Sequence, residues 1–418
     1  MNILVVSQYF WPETFLISSL VEVLIKQGHD VRVLTGKPNY PEGEVFPGYR
    51  KAGVYEEIFN NGSRVSRVPL RPRKNGSAFN LVMNYFSFVV SGLLYFPKLV
   101  RGEDFDVILV FAPSPITSVI PAILLRRLKR THLAVWVQDL WPESLVATGF
   151  VRNSFLRRVV GWLVRWIYVC SDTLLVQSKA FHDPVCRYAN PEKIVYYPNS
   201  LDLESLKGAD SESLPADLVQ TLENNFCAVF AGNVGTAQAI DTLVKAAVHL
   251  KRHPQCMLVV VGSGSLLSWA KEQKAVLGLD NLILAGRYPM AMMSQIFERA
   301  GALVVNLRNE KIFSYTIPSK VQAYLASGRP IIAALNGEGA RIVLEAGAGV
   351  ACPAEDSEAL ADSIHAVAEM TQCERDRMGA AGKAYFLEHF EMGAQARRLV
   401  EILESRINEK GNGDRCEY

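Results

Sequence analysis

Short runs of β-branched and apolar residues, each followed by a helical stretch, recur along this chain, and that alternation restricts the fold to a parallel α/β type. Asn2–Ser7 is such a run. An amphipathic stretch from about Ile17 to Gln27 follows, closed by Gly28 as a C-cap, and Asp30–Thr35 is the next run. Strand, helix and strand this close together form a βαβ unit, whose strands pair in parallel. Further strands are expected at Asp106–Phe111, with a helix after Pro115, at Leu133–Val137 and at Asp172–Gln177. The stretch Leu203–Leu222 breaks the pattern with the polar, turn-rich LKGADSESLPADL. The alternation then restarts, with strands expected at Cys227–Ala231, Met257–Val261, Leu282–Ala285, Ala302–Asn306 and Pro330–Ala333. Helices are expected at Ile240–Leu250, Ser319–Ala326, Leu360–Met370 and Gly393–Ile407.

Two successive rounds of this alternation predict two doubly wound, Rossmann-like domains facing a cleft, with ligands beyond the carboxyl ends of the strands. The division is an N-terminal domain over residues 1–205, a linker over 206–222, a second domain over 223–392, and a C-terminal helix and tail over 393–418 that returns to the first domain. A length of 418 residues suits two domains of ordinary size. A net charge of +2 excludes a global field for nucleic acid. The seven cysteines are scattered, odd in number and without a CxxC pair, which argues against a disulfide framework or zinc site and for a reducing compartment. MNILVVSQYF lacks the basic start and cleavage site of a signal peptide.

The second half carries the sharper chemistry. In Phe230-Ala-Gly-Asn-Val-Gly235, glycines follow a strand and precede a helix, so Gly232, Asn233 and Gly235 suit a phosphate approached by backbone N–H groups. Val261-Gly-Ser-Gly-Ser265 repeats the arrangement with Gly262 and Gly264. Each taken singly is also an ordinary strand-to-helix turn. Ser314-Tyr-Thr-Ile-Pro-Ser-Lys320 opens another helix. Pro318 suits its first turn, Thr316 or Ser319 its cap, and Lys320 adds a cation where a diphosphate would be held.

These segments, with the continuation Val321-Gln-Ala-Tyr-Leu-Ala-Ser-Gly-Arg-Pro330, resemble the donor domain of family-4 retaining glycosyltransferases of the GT-B fold. The first half is similar to a bacterial O-antigen and capsule branch that includes N-acetyl-L-fucosamine transferases. Ser7-Gln-Tyr-Phe-Trp-Pro-Glu13, Leu34-Thr-Gly-Lys-Pro-Asn-Tyr-Pro41 and Gln138-Asp-Leu-Trp-Pro-Glu-Ser144 carry that likeness. The resemblance implies transfer of an N-acetylated deoxyhexose or hexosamine from a UDP-sugar to an undecaprenyl-diphosphate-linked glycan, at the cytoplasmic face of the inner membrane. A UDP-sugar 2-epimerase of the same architecture is the alternative. A Rossmann oxidoreductase is disfavoured because no GxGxxG follows the first strand.

Two glutamates common in the family would fall at Tyr315 and Ala323, and neither is present. The family's arginine and lysine after the first glycine turn are missing too, since Thr236-Ala-Gln-Ala239 stands there. Lys320, Arg287 and backbone N–H groups are left to hold the diphosphate. On the acceptor side, Glu13, Asp139 and Glu143 follow strand ends and are the acidic candidates, with Gln138 where many relatives have histidine. No metal-ligand cluster is visible, so no cofactor is expected and activity should be metal-independent.

Residues Phe79–Phe96 form a long apolar stretch diluted by Asn80 and Asn84 and preceded by Arg71-Pro-Arg-Lys74. It is marginal for a spanning helix. The expectation is a helix resting partly on its domain and partly on lipid headgroups, joined by the basic and apolar segments at Leu124–Arg130 and Arg157–Trp166.

Overall fold

The computed structural model describes residues 1–147, 153–203 and 213–413. The chain divides into two units, one of Met1–Asn199 with Met392–Tyr418, the other of Ser200–Glu391.

The first unit holds strands β1 (Asn2–Ser7), β2 (Asp30–Gly36), β3 (Tyr55–Phe59), β4 (Ser63–Val68), β5 (Val107–Ala112), β6 (His132–Val137), β7 (Thr173–Val176) and β8 (Ile194–Tyr196). Their order in the sheet is β3-β4-β2-β1-β5-β6-β7-β8, parallel except for β3 against β4. The central strands β5 and β6 are buried along their whole length, as strands covered on both faces require. The helix Leu16–Lys26 places Ile17, Leu20, Val21 and Leu24 on one buried face and ends before Gly28, whose φ of +88° is the left-handed conformation a C-cap glycine supplies. Against that face pack Ala396, Leu399 and Leu403 of the C-terminal helix Met392–Gly413.

The second unit holds β9 (Phe226–Ala231), β10 (Cys256–Val261), β11 (Leu282–Gly286), β12 (Ala302–Asn306), β13 (Ile331–Ala334) and β14 (Gly349–Cys352). They form an all-parallel sheet in the order β11-β10-β9-β12-β13-β14, with an apolar core on each face. Order reverses between β9 and β12, the crevice where such sheets take ligands.

Two expectations change. Part of the stretch read as linker is structured: Ala216–Asn224 is a helix whose Leu218 and Leu222 enter the second unit's core, while residues 204–212 lie outside the described ones. The polar flanks hid a short amphipathic repeat. The β3–β4 hairpin was not anticipated, because its charges at Glu56, Glu57, Arg64 and Arg67 mask the alternation, a common trait of edge strands.

Candidate active site

Three parallel strands set the geometry of the second unit's site. β9, β10 and β11 lie side by side, and their carboxyl ends are stitched by backbone hydrogen bonds. Gly232 N donates to Val261 O (2.8 Å), Val234 N to Ser263 O (2.8 Å) and Gly262 N to Gly286 O (2.7 Å). Gly262 has φ +148°, and a Cβ there would lie 1.8 Å from Gly232 O, so only glycine allows the two turns to approach this closely.

The helix Ser319–Ser327 delivers the cation. Lys320 and Tyr324 are one turn apart and share a face. The Tyr324 hydroxyl receives Ala231 N at 3.0 Å, which anchors the helix to the end of β9. One turn earlier, Lys320 Nζ lies 3.9 Å from the centroid of the Phe230 ring. A Cβ on Gly232 would lie 2.7 Å from that ammonium, so the glycine makes room for it. Lys320 Nζ is buried and has no hydrogen-bond partner among the described residues. Burial lowers its pKa to about 8.

These groups open on a cavity of about 550 Å³, within the size range of small-ligand sites. Gly232, Asn233, Gly262, Arg287, Ser319 and Lys320 line it. Arg287 and Lys320 are the charged side chains of the lining; no carboxylate is among them. One wall is apolar, built by Tyr288, Pro289, Met290, Met293 and Phe297, which sequence reasoning missed: they follow β11 in a stretch with neither glycine pattern nor charge. Ala323 lines the cavity as well. A concave, cationic and partly apolar site of this size suits an anionic ligand with a flat or apolar part.

Three expected residues lie elsewhere. Thr316 does not cap the helix; its hydroxyl donates to Phe313 O at 3.2 Å, and the N-cap position is Pro318, with no side-chain cap from Thr316 or Ser319. Gly235 and Gly264 are not among the residues that line the cavity. A Cβ on Gly264 would lie 2.3 Å from Val234 O, so it serves the packing of the two turns.

In the first unit, the loops after β1, β2 and β6 gather at the carboxyl edge of the sheet. Glu13 is buried, and its carboxylate accepts Phe10 N (3.2 Å), Asn39 N (2.8 Å) and Tyr40 N (2.8 Å). It clasps two loops together, where the sequence suggested an open carboxylate for an acceptor hydroxyl. Burial outweighs those bonds and pushes its pKa up to about 7. Asn84, which dilutes the apolar stretch in sequence, is a buried hub: it accepts Gln8 Nε2 (2.8 Å) and donates to Arg71 O (2.6 Å). Asp139 is held by Trp141 Nε1 at 3.3 Å, and burial raises its pKa. Glu143 opens a short helix, is half-buried and faces Arg187 at 3.6 Å. Asp139 and Glu143 flank the short turn Leu140-Trp-Pro142 after β6.

The helix Ala78–Leu99 is long and apolar enough to cross a membrane, and most of its apolar surface is not covered by the unit. One face, Asn84, Phe88, Gly92 and Phe96, packs on the unit. The opposite face leaves Phe79, Val82, Phe86, Val90 and Leu94 exposed.

Comparison with known proteins agrees with this architecture. The family model described as "Glycosyl transferase 4-like domain" matches residues 16–200, and that described as "Glycosyl transferases group 1" matches residues 219–385. The chain is similar to a probable glycosyltransferase, WbjE of Pseudomonas aeruginosa (26% identity, 72% of this chain and 75% of the relative). It is also similar to the putative colanic acid biosynthesis glycosyl transferase WcaI of Escherichia coli K12 (23% identity, 63% and 65%). Among solved structures, Anabaena Alr3699/HepE in complex with UDP shares the fold, with a TM-score of 0.64 at 14% identity over 97% of this chain and all of that one. With one model matched over each of its two α/β units, the chain belongs to the family-4, group 1 glycosyltransferases and has their GT-B fold.

Proposed function

We propose that the protein is a retaining glycosyltransferase that moves a sugar, an N-acetylated deoxyhexose or hexosamine, from a UDP-sugar to an undecaprenyl-diphosphate-linked glycan during bacterial surface polysaccharide synthesis. The observation that carries the donor reading is the buried ammonium of Lys320, without a hydrogen-bond partner among the described residues and aimed at the Gly232 turn. A diphosphate supplies the counter-charge that such a group requires. Gly232 and Gly262 leave room for a phosphate by lacking side chains, although their own N–H groups are spent on Val261 O and Gly286 O and do not hold it as the sequence suggested. Ser319 and Lys320 give the start of a helix, Arg287 a second cation, and the Tyr288–Met293 wall a surface for the nucleoside. HepE binds UDP on the same fold, which favours a uridine nucleotide here.

Transfer with retention asks for stabilisation of the leaving diphosphate, and Lys320 supplies it in water-poor surroundings, where charge acts strongly. Asp139 and Glu143 orient the acceptor, and Glu13 holds their neighbouring loops in place. Chemistry of this kind needs no metal. The similarity to a colanic acid transferase favours a glycan acceptor, and the exposed apolar stripe of the helix Ala78–Leu99, with Arg71, Arg73 and Lys74 just before it, suits peripheral contact with anionic lipid at the cytoplasmic face. The test is incubation of purified protein with UDP-sugars, with and without a prenyl-diphosphate-linked sugar. The reading requires an extended lipid-linked product and no change without acceptor; isomerisation of the UDP-sugar alone would replace it by a 2-epimerase.

A further inference from the structure

A second buried ammonium lies in the first unit. Lys37 follows the carboxyl end of β2, is fully buried, and its Nζ has no hydrogen-bond partner among the described residues. Its neighbours do not neutralise it. Arg67, also fully buried, is committed to Glu57 (Nε to Oε1, 2.5 Å), to Gly36 O (3.3 Å) and to Trp11 O. Glu57 spends one oxygen on Arg67, and its other receives the Tyr49 hydroxyl at 3.4 Å. Burial first, and then the charges of Arg67 and Arg50, press Lys37 toward its neutral form, and Glu57 opposes them. The buried Lys37 ammonium thus lies beside a second buried cation whose carboxylate neighbours, Glu57 and Glu13, act on Arg67 and on backbone N–H groups, a costly arrangement for Lys37 unless an anion completes it.

The cover over this charge is thin. Lys37 Nζ lies 5.2 Å from the Tyr55 centroid, and Arg67 lies 5.1 Å from that of Tyr49. The two rings meet edge to face at 5.3 Å and are themselves only partly buried. Lys37 stands at the same sheet edge as the loops clasped by Glu13, since Arg67 reaches Trp11 and Lys37 is two residues before Asn39.

We infer that Lys37 is a phosphoryl-binding residue of the first unit, serving the diphosphate of the acceptor beneath the Tyr49–Tyr55 pair. The acceptor assignment rests on the proposed function; the anion site does not. Inorganic pyrophosphate tests the site by itself. In a Lys320→Ala background, which disables the donor cavity, pyrophosphate should still raise the melting temperature, and Lys320→Ala/Lys37→Met should lose that rise. Equal rises in both proteins, or none in the first, overturn the site. Methionine keeps the length of the side chain and removes a buried charge, so Lys37→Met is expected to fold and to melt higher without ligand than the wild type. In the second arm, Lys37→Met should raise KM for a prenyl-diphosphate-linked sugar at least tenfold with UDP affinity unchanged. An unaltered KM removes the acceptor role. Failure of the wild type to use any such acceptor strikes the proposed function and leaves the pyrophosphate result to judge the site.

Discussion

Lys320 and Glu13 show how burial gives two charged residues different tasks. Lys320 is kept below its ordinary value of 10.5, at about 8, by desolvation alone. Being lower in the folded state, it makes the protein itself more stable as pH climbs from about 8 toward 10.5, where the unfolded chain still holds the proton. A bound diphosphate favours the ammonium, so UDP affinity should be flat below pH 8 and fall above it by roughly tenfold per unit. Calorimetric titration across pH 6.5–9.5 checks this; the Lys320→Met variant should bind weakly with no such slope. Glu13 instead accepts three backbone N–H groups, those of Phe10 and Asn39 buried and that of Tyr40 partly so. Glu13→Ala leaves them unpaired and should cost about 2–4 kcal/mol in denaturant unfolding. A purely catalytic carboxylate would show lost turnover at unchanged stability. The sequence displayed Lys320 and its glycines because a cation at a helix start beside strand-end glycines is a local pattern. It did not display the clasp of Glu13, the hub at Asn84 or the unmatched charge at Lys37, since each depends on partners 26 to 76 positions away or on burial that composition does not reveal.

At the scale of elements, legibility followed exposure. Strands covered on both faces, such as β5 and β6, are continuous apolar runs and stand out in the sequence. The edge hairpin β3–β4 and the helix Ala216–Asn224 are short and mixed with charge, and did not. The helix Ala78–Leu99 is the instructive case. Asn84, Phe88 and Phe96 face the unit, Gly92 lets it approach Pro121 closely, and Phe79, Val82, Phe86, Val90 and Leu94 point out, so apolar residues occupy both faces, unlike a soluble surface helix. Val82 and Phe86 are each 60% exposed, so the double change Val82→Asp/Phe86→Asp should leave the melting temperature within a degree or two. The same change should abolish flotation with vesicles containing phosphatidylglycerol. Flotation equal to wild type would remove the stripe from membrane contact.

For the molecule as a whole, the repeated strand–helix alternation was sufficient to foresee two doubly wound units, because parallel pairing follows from connections that contain a helix. What each unit binds was less legible. Phosphate-binding turns are local, whereas the cavity wall of Tyr288, Met293 and Phe297 assembles from a loop and a helix with no shared motif. In the proposed function the second unit grips a nucleotide diphosphate at the ends of β9 and β10 beside Lys320. Photo-crosslinking with an azido-UDP analogue, followed by peptide mapping, addresses this directly. The label should fall on peptides within Phe226–Ala334, be displaced by UDP, and be lost in Lys320→Ala. Labelling confined to peptides of Met1–Asn199, or untouched by the loss of Lys320, would contradict it.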